Sequence, residues 1–543
     1  MKFQLPPIPD AERTPLVEAL LAIIDGQQQR ILQLEETVQQ LRDEMAILKG
    51  EKPRPKIAPS QLEQPPPKPP LSAGQKRPGS AKRSKNAQLT ITDEVLVPFP
   101  NAPDGSMHLR YEEFIVQELV LQAKATRYLR ERIQLPDGST RLAALPEGVL
   151  EGKHFGPELI AYVMYQYHQC HVTQPLLLEQ LQEVGIDISA GQISNLLTEH
   201  HEEFHREKAD VLTAGLQVAS YIGVDDTGAR HQGNNGYCTA IGNDLFAYFE
   251  STASKSRLNF LQVLRGADPG YTINEVTLAY WAQQGLAQAV VAKLSGEGQP
   301  CQFADEAAWQ TRLAELHITA KLHVRLASEG ALLGQLIAQG VSPELSILSD
   351  GAPQFDLLVH ASCWVHAERP LARLVPYNDI HRAAIAQIRQ QIWELYQDLK
   401  KYRAQPDPAA KSTLTVRFEA LVNQPCHFPV SIGQVLKEMR AHQDDLLRVL
   451  ERPEVPLHNN GMESDIRGYV KVRKISGSTR SASGRRCRDT FASLKKTCRK
   501  LGVNFWAYLK ERIRGVGKIA WLPEIIRARA AESAAKSAEA VPA

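Results

Sequence analysis

Residues 345–370, LSILSDGAPQFDLLVHASCWVHAERP, decide how the rest of the chain is read. The apolar run Leu345, Ile347 and Leu348 stops abruptly at Asp350, and Gly351 and Pro353 follow. A buried strand is apolar throughout and Gly and Pro punctuate its end, so this pattern predicts a short strand that delivers a carboxylate at its C-terminal tip. Further on, His360 to His366 reads as a second strand carrying the compact motif Cys363-Trp364-Val365-His366, after which the pattern turns helical. A lone carboxylate does little chemistry at a strand tip; function there requires other acids to converge on it.

Upstream, residues 217–225 (QVASYIGVD) form another apolar run, and it ends in Asp225-Asp226-Thr227-Gly228. Gly236–Asn243 and Leu245–Glu250 are two more strand-like runs across a turn, followed by a helix from Ser256 to Leu264. Three strands in a meander, a helix, then the strand bearing Asp350 is the order of a ribonuclease H-like fold. Residues 270–340 and 367–450 are mostly helical in pattern and become insertions. The expected fold class is therefore α/β, with a ribonuclease H-like core and helical insertions over residues 216–475. Which of Asp225 and Asp226 faces Asp350 stays open, because alternate strand residues point to opposite faces.

A third acid comes from downstream. After Pro453 and Pro456 the chain reads HNNGMESDIRGYVKVRK. Asn460 can cap a helix in which Glu463 is the third residue, which is capping-box spacing. The same spacing sets Glu463, Arg467 and Lys471 along one helical face. A carboxylate in line with two cations suits an acid that holds a metal beside cations that hold a DNA phosphate.

The net charge of +2 conceals an uneven distribution, because residues 466–518 carry 16 Lys/Arg against two acids. A basic C-terminal region at 476–527 points to a polyanion partner. Arg480, Arg485, Arg486, Arg488, Lys495, Lys496, Arg499 and Lys500 are its expected DNA track. Seven scattered cysteines without a CxxC pair argue against a disulfide framework and against a four-cysteine zinc site. The expected compartment is the cytoplasm, in association with the nucleoid. The N-terminal apolar stretch Leu16–Ile24 contains Glu18 and lacks a basic leader, and no run is long enough to span a membrane.

Residues 17, 20, 24, 27, 31, 34, 38, 41, 45 and 48 recur at alternate spacings of three and four and are apolar except Gln27. That is a coiled-coil seam over 11–49, and its consequence is self-association. A Pro/Lys/Arg-rich linker at 50–94 lacks any hydrophobic period and is expected to be disordered. A small module at 95–150 contains a hairpin turning at Pro136-Asp137-Gly138. At 151–205 a helix, a Gly185-containing turn and a helix capped by Ser189 make a helix-turn-helix-like region. Its second helix would present Gln192, Ser194 and Asn195 to base edges. Residues 528–543 read as a disordered tail.

The ordered set YIGVDDTGA, ILSDGAPQF, CWVHAERP and NNGMESDIRGYVKVRKISGS resembles the insertion sequence 66 family of DDE transposases. The resemblance extends over the coiled coil, the linker, YEEFIVQEL at 111, the FGPEL to ISNLL stretch and KLGVNFWAYL at 500–509. It implies Asp225, Asp350 and Glu463 as catalytic acids holding two Mg2+ or Mn2+ ions, with Arg467, Arg473 and Lys474 as the basic residues that follow the Glu. It also implies DNA (element ends and target) as substrate, water attack that frees a 3′-OH, and transfer of that 3′-OH into target DNA. Accessory proteins of the same element and a homodimer or higher oligomer are the implied protein partners. The module at 95–150 stands where the family carries a zinc finger but has no cysteine, so zinc is not expected there. Asp225 and Asp350 also lie further apart than the resemblance leads one to expect.

Cys363 and His366 read as a buried structural pair; a zinc site is the alternative, and it would need Cys426, His427 or His381 as partners. Two other functional readings share these residues. One is a non-catalytic DNA-binding protein derived from a transposase, and the other a ribonuclease H-like nuclease without strand transfer.

Overall fold

A computed structural model describes residues 14–48, 62, 89–101 and 103–539. Most of the expected linker, and residues 540–543 of the expected tail, lie outside the described residues. The chain begins with one long helix, α1 (Pro15–Leu48). Its Leu32 is buried, Tyr377 Oη lies 3.4 Å from the Leu32 carbonyl, and Asn378 donates to Glu35 at 2.7 Å. The three-four seam lies on another face and stays exposed, with Ile31, Leu34 and Leu41 each more than half accessible.

The hairpin at Pro136-Asp137-Gly138 is present. Strand β1 (Arg132–Gln134) pairs antiparallel with β2 (Thr140–Leu142), and Gly138 supplies the positive φ of the turn. Residues 106–131 before it form no helix or strand. Helices α2 (Pro157–His168), α3 (Gln174–Glu183) and α4 (Ala190–Thr198) then close on a small core of Val163, Leu177, Leu181, Ile188, Ile193 and Leu197.

The body of the protein is built on a mixed five-stranded sheet. Helix α5 (Glu202–Val218) leads into β3 (Tyr221–Gly228), β4 (Tyr237–Gly242) and β5 (Ala247–Thr252), an antiparallel meander, and then α6 (Arg257–Arg265). A first insertion follows: β6 (Tyr271–Thr272), α7 (Glu275–Gln283), α8 (Gln288–Ser295), β7 (Gln302–Phe303), α9 (Glu306–Glu315) and α10 (Lys321–Ala338). The chain returns to the sheet as β8 (Ser346–Ser349) and β9 (Val359–Ser362), and the strand order is β5-β4-β3-β8-β9. β8 runs parallel to both neighbours, β3 and β9, and all four of its residues are buried. That is why it reads as a continuous run rather than an alternation.

A second insertion, α11 (Trp364–Arg373), α12 (Asp379–Ala404), α13 (Pro408–Asn423), α14 (Ile432–Ala441) and α15 (Gln443–Leu446), packs its own core around Trp364, Tyr396 and Phe418. Finally α16 (Asn460–Ser476) and α17 (Ala482–Lys500) cover the outer face of the sheet, and α18 (Phe505–Arg514) and α19 (Leu522–Glu539) pack on the helical side. Glu207 of α5, fully buried, fastens the C-terminal helices. It accepts from Tyr508 Oη at 2.6 Å, from two Arg512 nitrogens at 3.0 Å and from the Leu522 N–H at 2.9 Å.

Three local expectations change. The strand after Asp350 stops at Ser362, and Cys363 is the N-cap of a helix that already contains His366. The Trp364 N–H donates to the Leu457 carbonyl at 3.0 Å, so a partner distant in sequence sets the boundary. Residues 528–539, expected to be disordered, continue α19; their alanine-rich composition has high helix propensity. The cap of α16 is Asn459 rather than Asn460, and its side chain makes no capping bond.

Candidate active site

Ile222 and Val224 of β3 enter the main core, so Gly223, Asp225 and Thr227 share the opposite face. α16 lies on that face. A Cβ at Gly223 would collide with Asn459 and Met462, so the glycine is what lets the helix approach the strand. Asp225 is thereby turned toward α16, where Glu463 sits one turn in from the N-terminus. Gly223 is in register with Leu348 across the parallel β3–β8 pair, and Asp225 and Asp350 each lie two residues beyond that pair. Neighbouring strands run about 4.8 Å apart. Asp225, within β3, and Asp350, one residue past the end of β8, therefore lie on neighbouring strands, with Glu463 on the helix that covers Asp225.

Asp225 and Asp226 differ in what they bond. Asp226 accepts from Thr239 Oγ1 at 2.6 Å and from Gln354 Nε2 at 3.1 Å, which occupies both its oxygens. Asp225 accepts only the Asp226 N–H, at 2.8 Å. Burial pushes the Asp225 carboxyl up to about 6, and the charges of Asp350 and Glu463 push in the same direction. Asp350 accepts the Ala352 N–H at 3.2 Å in the turn after β8.

Glu463 lies between two guanidiniums and an imidazole without being closed off. Arg467 Nη2 is 3.5 Å from Oε2, and Arg369 Nη2 and His366 Nε2 are 3.9 and 3.8 Å from Oε1. Oε1 is buried with no hydrogen-bond partner, and so is His366 Nδ1. Burial, with the Arg369 guanidinium beside it, holds His366 below the usual imidazole range, so its ring is neutral at pH 7.

Sequence reasoning missed Asn459. Its Nδ2 donates to the Val224 carbonyl at 2.7 Å, and its N–H donates to Cys363 Sγ at 3.4 Å. This residue clips the start of α16 between the strand bearing Asp225 and the helix bearing His366. The signal was in NNG ahead of Glu463, read there only as a cap. Asn459→Ala is expected to cost about 1–3 kcal/mol, because it strands a buried carbonyl, and to lower activity more than stability by loosening Glu463. Denaturant melts run beside cleavage rates check this; a variant with unaltered stability and rate would remove Asn459 from that role.

The donor set suits hard divalent cations, which take carboxylate oxygens. A buried Glu463 oxygen without a partner, and an Asp225 carboxyl repelled by two neighbours, are both conditions that a cation relieves. Among the described residues, no group of three or more His, Cys, Asp or Glu side chains is set to hold a metal ion as they stand. Mg2+ keeps waters and is commonly bound by one or two carboxylates plus substrate phosphate, so a closed protein cage is not required. Cys363 is buried against Asn459, and the suggested zinc partners are engaged elsewhere. Cys426 accepts the Phe428 N–H, and the His381 ring stacks on Phe428 at 4.5 Å.

The residues expected to meet DNA divide. Arg467, Lys471, Lys474, Arg480 and Arg486 are exposed, and Arg485 is half-buried. Arg473 turns inward, to Thr227 Oγ1 at 3.2 Å and to the Gly228 carbonyl. Lys496 and Lys500 pair with Asp465 at 3.1 and 2.9 Å, and Lys495 donates to the His168 carbonyl at 2.6 Å, so these three fasten α17 to its neighbours. On α4, Gln192 is committed to a capping box with Ser189; Asn195 is exposed and Ser194 half-buried.

Taken together, the fold and site define a mixed α/β protein that sets Asp225 of β3, Asp350 just past β8 and Glu463 of α16 near one another, flanked by a basic helical surface. The sequence pattern of the transposase IS66 family matches residues 152–288 and 352–486, segments that contain Asp225 and Glu463 and resume just after Asp350. An uncharacterized protein of Sinorhizobium fredii, y4jO, is 38% identical over 323 residues, 59% of this chain and 100% of that protein. The chain belongs to the transposase IS66 family. No helix among the described residues is long and apolar enough to cross a membrane.

Proposed function

We propose that the chain is a DNA transposase of an insertion sequence, cleaving at the element ends and joining the freed 3′-OH to target DNA. The observation that carries this reading is the meeting of Asp225 and Asp350 on the adjacent strands β3 and β8 beneath Glu463. In this reading the sheet and its flanking helices are a ribonuclease H-like core. Asp225, Asp350 and Glu463 would hold two Mg2+ or Mn2+ ions, which when bound make water more acidic and offset charge at the phosphorus.

The remaining work falls to the chain's own side chains. Asn459 and Cys363 fix the start of α16, so that Glu463 stays above Asp225 and Asp350. Arg467, Lys471 and Lys474 hold the DNA backbone beside them. In cleavage a water oxygen bonds to phosphorus as the P–O3′ bond breaks, and the 3′ oxygen leaves bearing a proton. In transfer that 3′-OH oxygen bonds to a target phosphorus as the target P–O3′ bond breaks; the attacking hydroxyl gives up its proton to solvent and the leaving target O3′ takes one up. The α3–α4 pair, a helix-turn-helix in this reading, reaches DNA through Ser194 and Asn195.

The test is labelled DNA carrying the element's own ends, incubated with protein and Mg2+. Cleaved ends that also join to target DNA are expected. Cleavage without joining would reduce the reading to a nuclease, and binding without products to a non-catalytic DNA-binding protein.

Self-association belongs to the same reading. Two copies of α1 would bury the exposed seam of Leu20, Ile31, Leu34 and Leu41 against each other. Leu34→Glu combined with Leu41→Glu is expected to convert a dimer or larger assembly into monomer, by light scattering, with an unaltered melting transition. A wild-type monomer at the same concentration would remove the coiled coil.

A further inference from the structure

The β3–β4 connection, residues 229–236, leaves the sheet and folds onto the segment joining α16 to α17. Gln232 donates its N–H to the Thr479 carbonyl at 2.8 Å, and the Thr479 N–H donates to the Arg230 carbonyl at 3.1 Å. His231 Nδ1 lies 2.8 Å from Thr479 Oγ1. Between the two segments is a cavity of about 180 Å3. Arg230, His231, Arg485 and Arg488 line it, with Tyr237 and Tyr469, and no Asp or Glu is among its lining residues.

Two of the three guanidiniums are braced in place. Arg488 donates to the Gly477 carbonyl at 3.3 Å and to Ser476 Oγ at 3.1 Å, and Arg230 donates to Asn235 Oδ1 at 3.3 Å. The Arg485 side chain makes no hydrogen bond or ion pair among the described residues. The cavity lies at the start of the 19-residue helix α17, whose first turn adds partial positive charge. Cations gathered in one recess without a carboxylate repel one another, and an anion seated among them converts that repulsion into charge-assisted hydrogen bonds.

We propose that this recess seats one DNA backbone phosphate at a fixed distance from the reacting bond. The inference rests on the transposase reading and names a subsite within it. Arg230 follows Asp225 by five residues along β3 and its continuation, roughly 16 Å at about 3.3 Å per residue. The rise of about 3.4 Å per nucleotide is measured along the helix axis and successive phosphates of one strand also step around it, so that separation places the seated phosphate roughly two to three nucleotides from the cleaved one. Arg473, bonded to Thr227, lies between the two sites.

The experiment scans the element-end duplex with single neutral methylphosphonates, one position at a time, against the full-length protein. For the wild type, neutralising one phosphate roughly two to three nucleotides from the cleavage position is expected to weaken binding about tenfold. In Arg485→Ala, and separately in Arg230→Ala, that position should lose its special effect, while Arg486→Ala, which removes an equal charge outside the recess, should retain it. Matching melting curves exclude misfolding. Scans identical in wild type, Arg485→Ala and Arg230→Ala overturn the seat. If Mg2+-dependent cleavage persists in those proteins, the transposase reading survives that failure.

Discussion

Asp350→Asn is expected to lower Mg2+-dependent cleavage of element-end DNA on the order of a thousandfold, with DNA affinity nearly unaltered. The substitution removes a charge and almost nothing else. Asp350 lies in the turn after β8, where its Oδ1 accepts the Ala352 N–H at 3.2 Å, and an asparagine carbonyl can accept the same bond. Gly351, at a φ of +90°, carries the backbone conformation of that turn and is untouched. What is lost is one of the two anions on adjacent strands that, in this reading, hold the divalent ions. Single-turnover cleavage with DNA in excess of its dissociation constant separates chemistry from binding. Equal rates in variant and wild type would take Asp350 out of the site.

How much of this was legible depends on the range of the interaction that fixes each feature. Asp350 could be placed at a strand end because a buried strand announces its own end: an apolar run stopping at an acid followed by Gly is a local signal. The strand expected to end at Asp225 instead runs on to Gly228, held by its pairing with β4. Glu463 could be read because helical spacing put it in line with Arg467 and Lys471. The bonding that distinguishes Asp226 from Asp225 was not legible, because its partners are Thr239 and Gln354, the latter 128 residues away. The intramolecular partners of Lys495, Lys496 and Lys500 were not legible for the same reason: Asp465 and the His168 carbonyl come to them from other helices.

The CWVH motif was misjudged as a strand because its helix start is set by the chain at Leu457–Asn459 and not by its own residues. The two-residue strands β6 and β7 give too short a pattern for any periodicity to register.

Asp225→Asn is expected to act in opposite directions on stability and on activity. The folded carboxyl titrates at about 6, whereas an unfolded aspartate titrates at about 3.9. Below pH 4 both states are protonated and the group is neutral in each. As the pH rises from about 4 to about 6 the unfolded chain ionises while the folded chain retains its proton, so the wild type loses stability across that window. The shift amounts to about 3 kcal/mol at neutral pH, reduced to about 2 kcal/mol because the carboxyl is only half-buried.

Asparagine never takes the charge, and its carbonyl can still accept the Asp226 N–H. Without divalent metal at pH 7.5 the variant should therefore melt several degrees above the wild type, and the gap should close by pH 4. Mg2+ should raise the wild-type melting temperature and leave the variant's nearly still, since the cation would lose an anionic ligand. Cleavage should fall on the order of a thousandfold in the same variant. A variant less stable than wild type at pH 7.5 and equally responsive to Mg2+ would show that Asp225 is a structural aspartate rather than a carboxylate kept under strain for a metal.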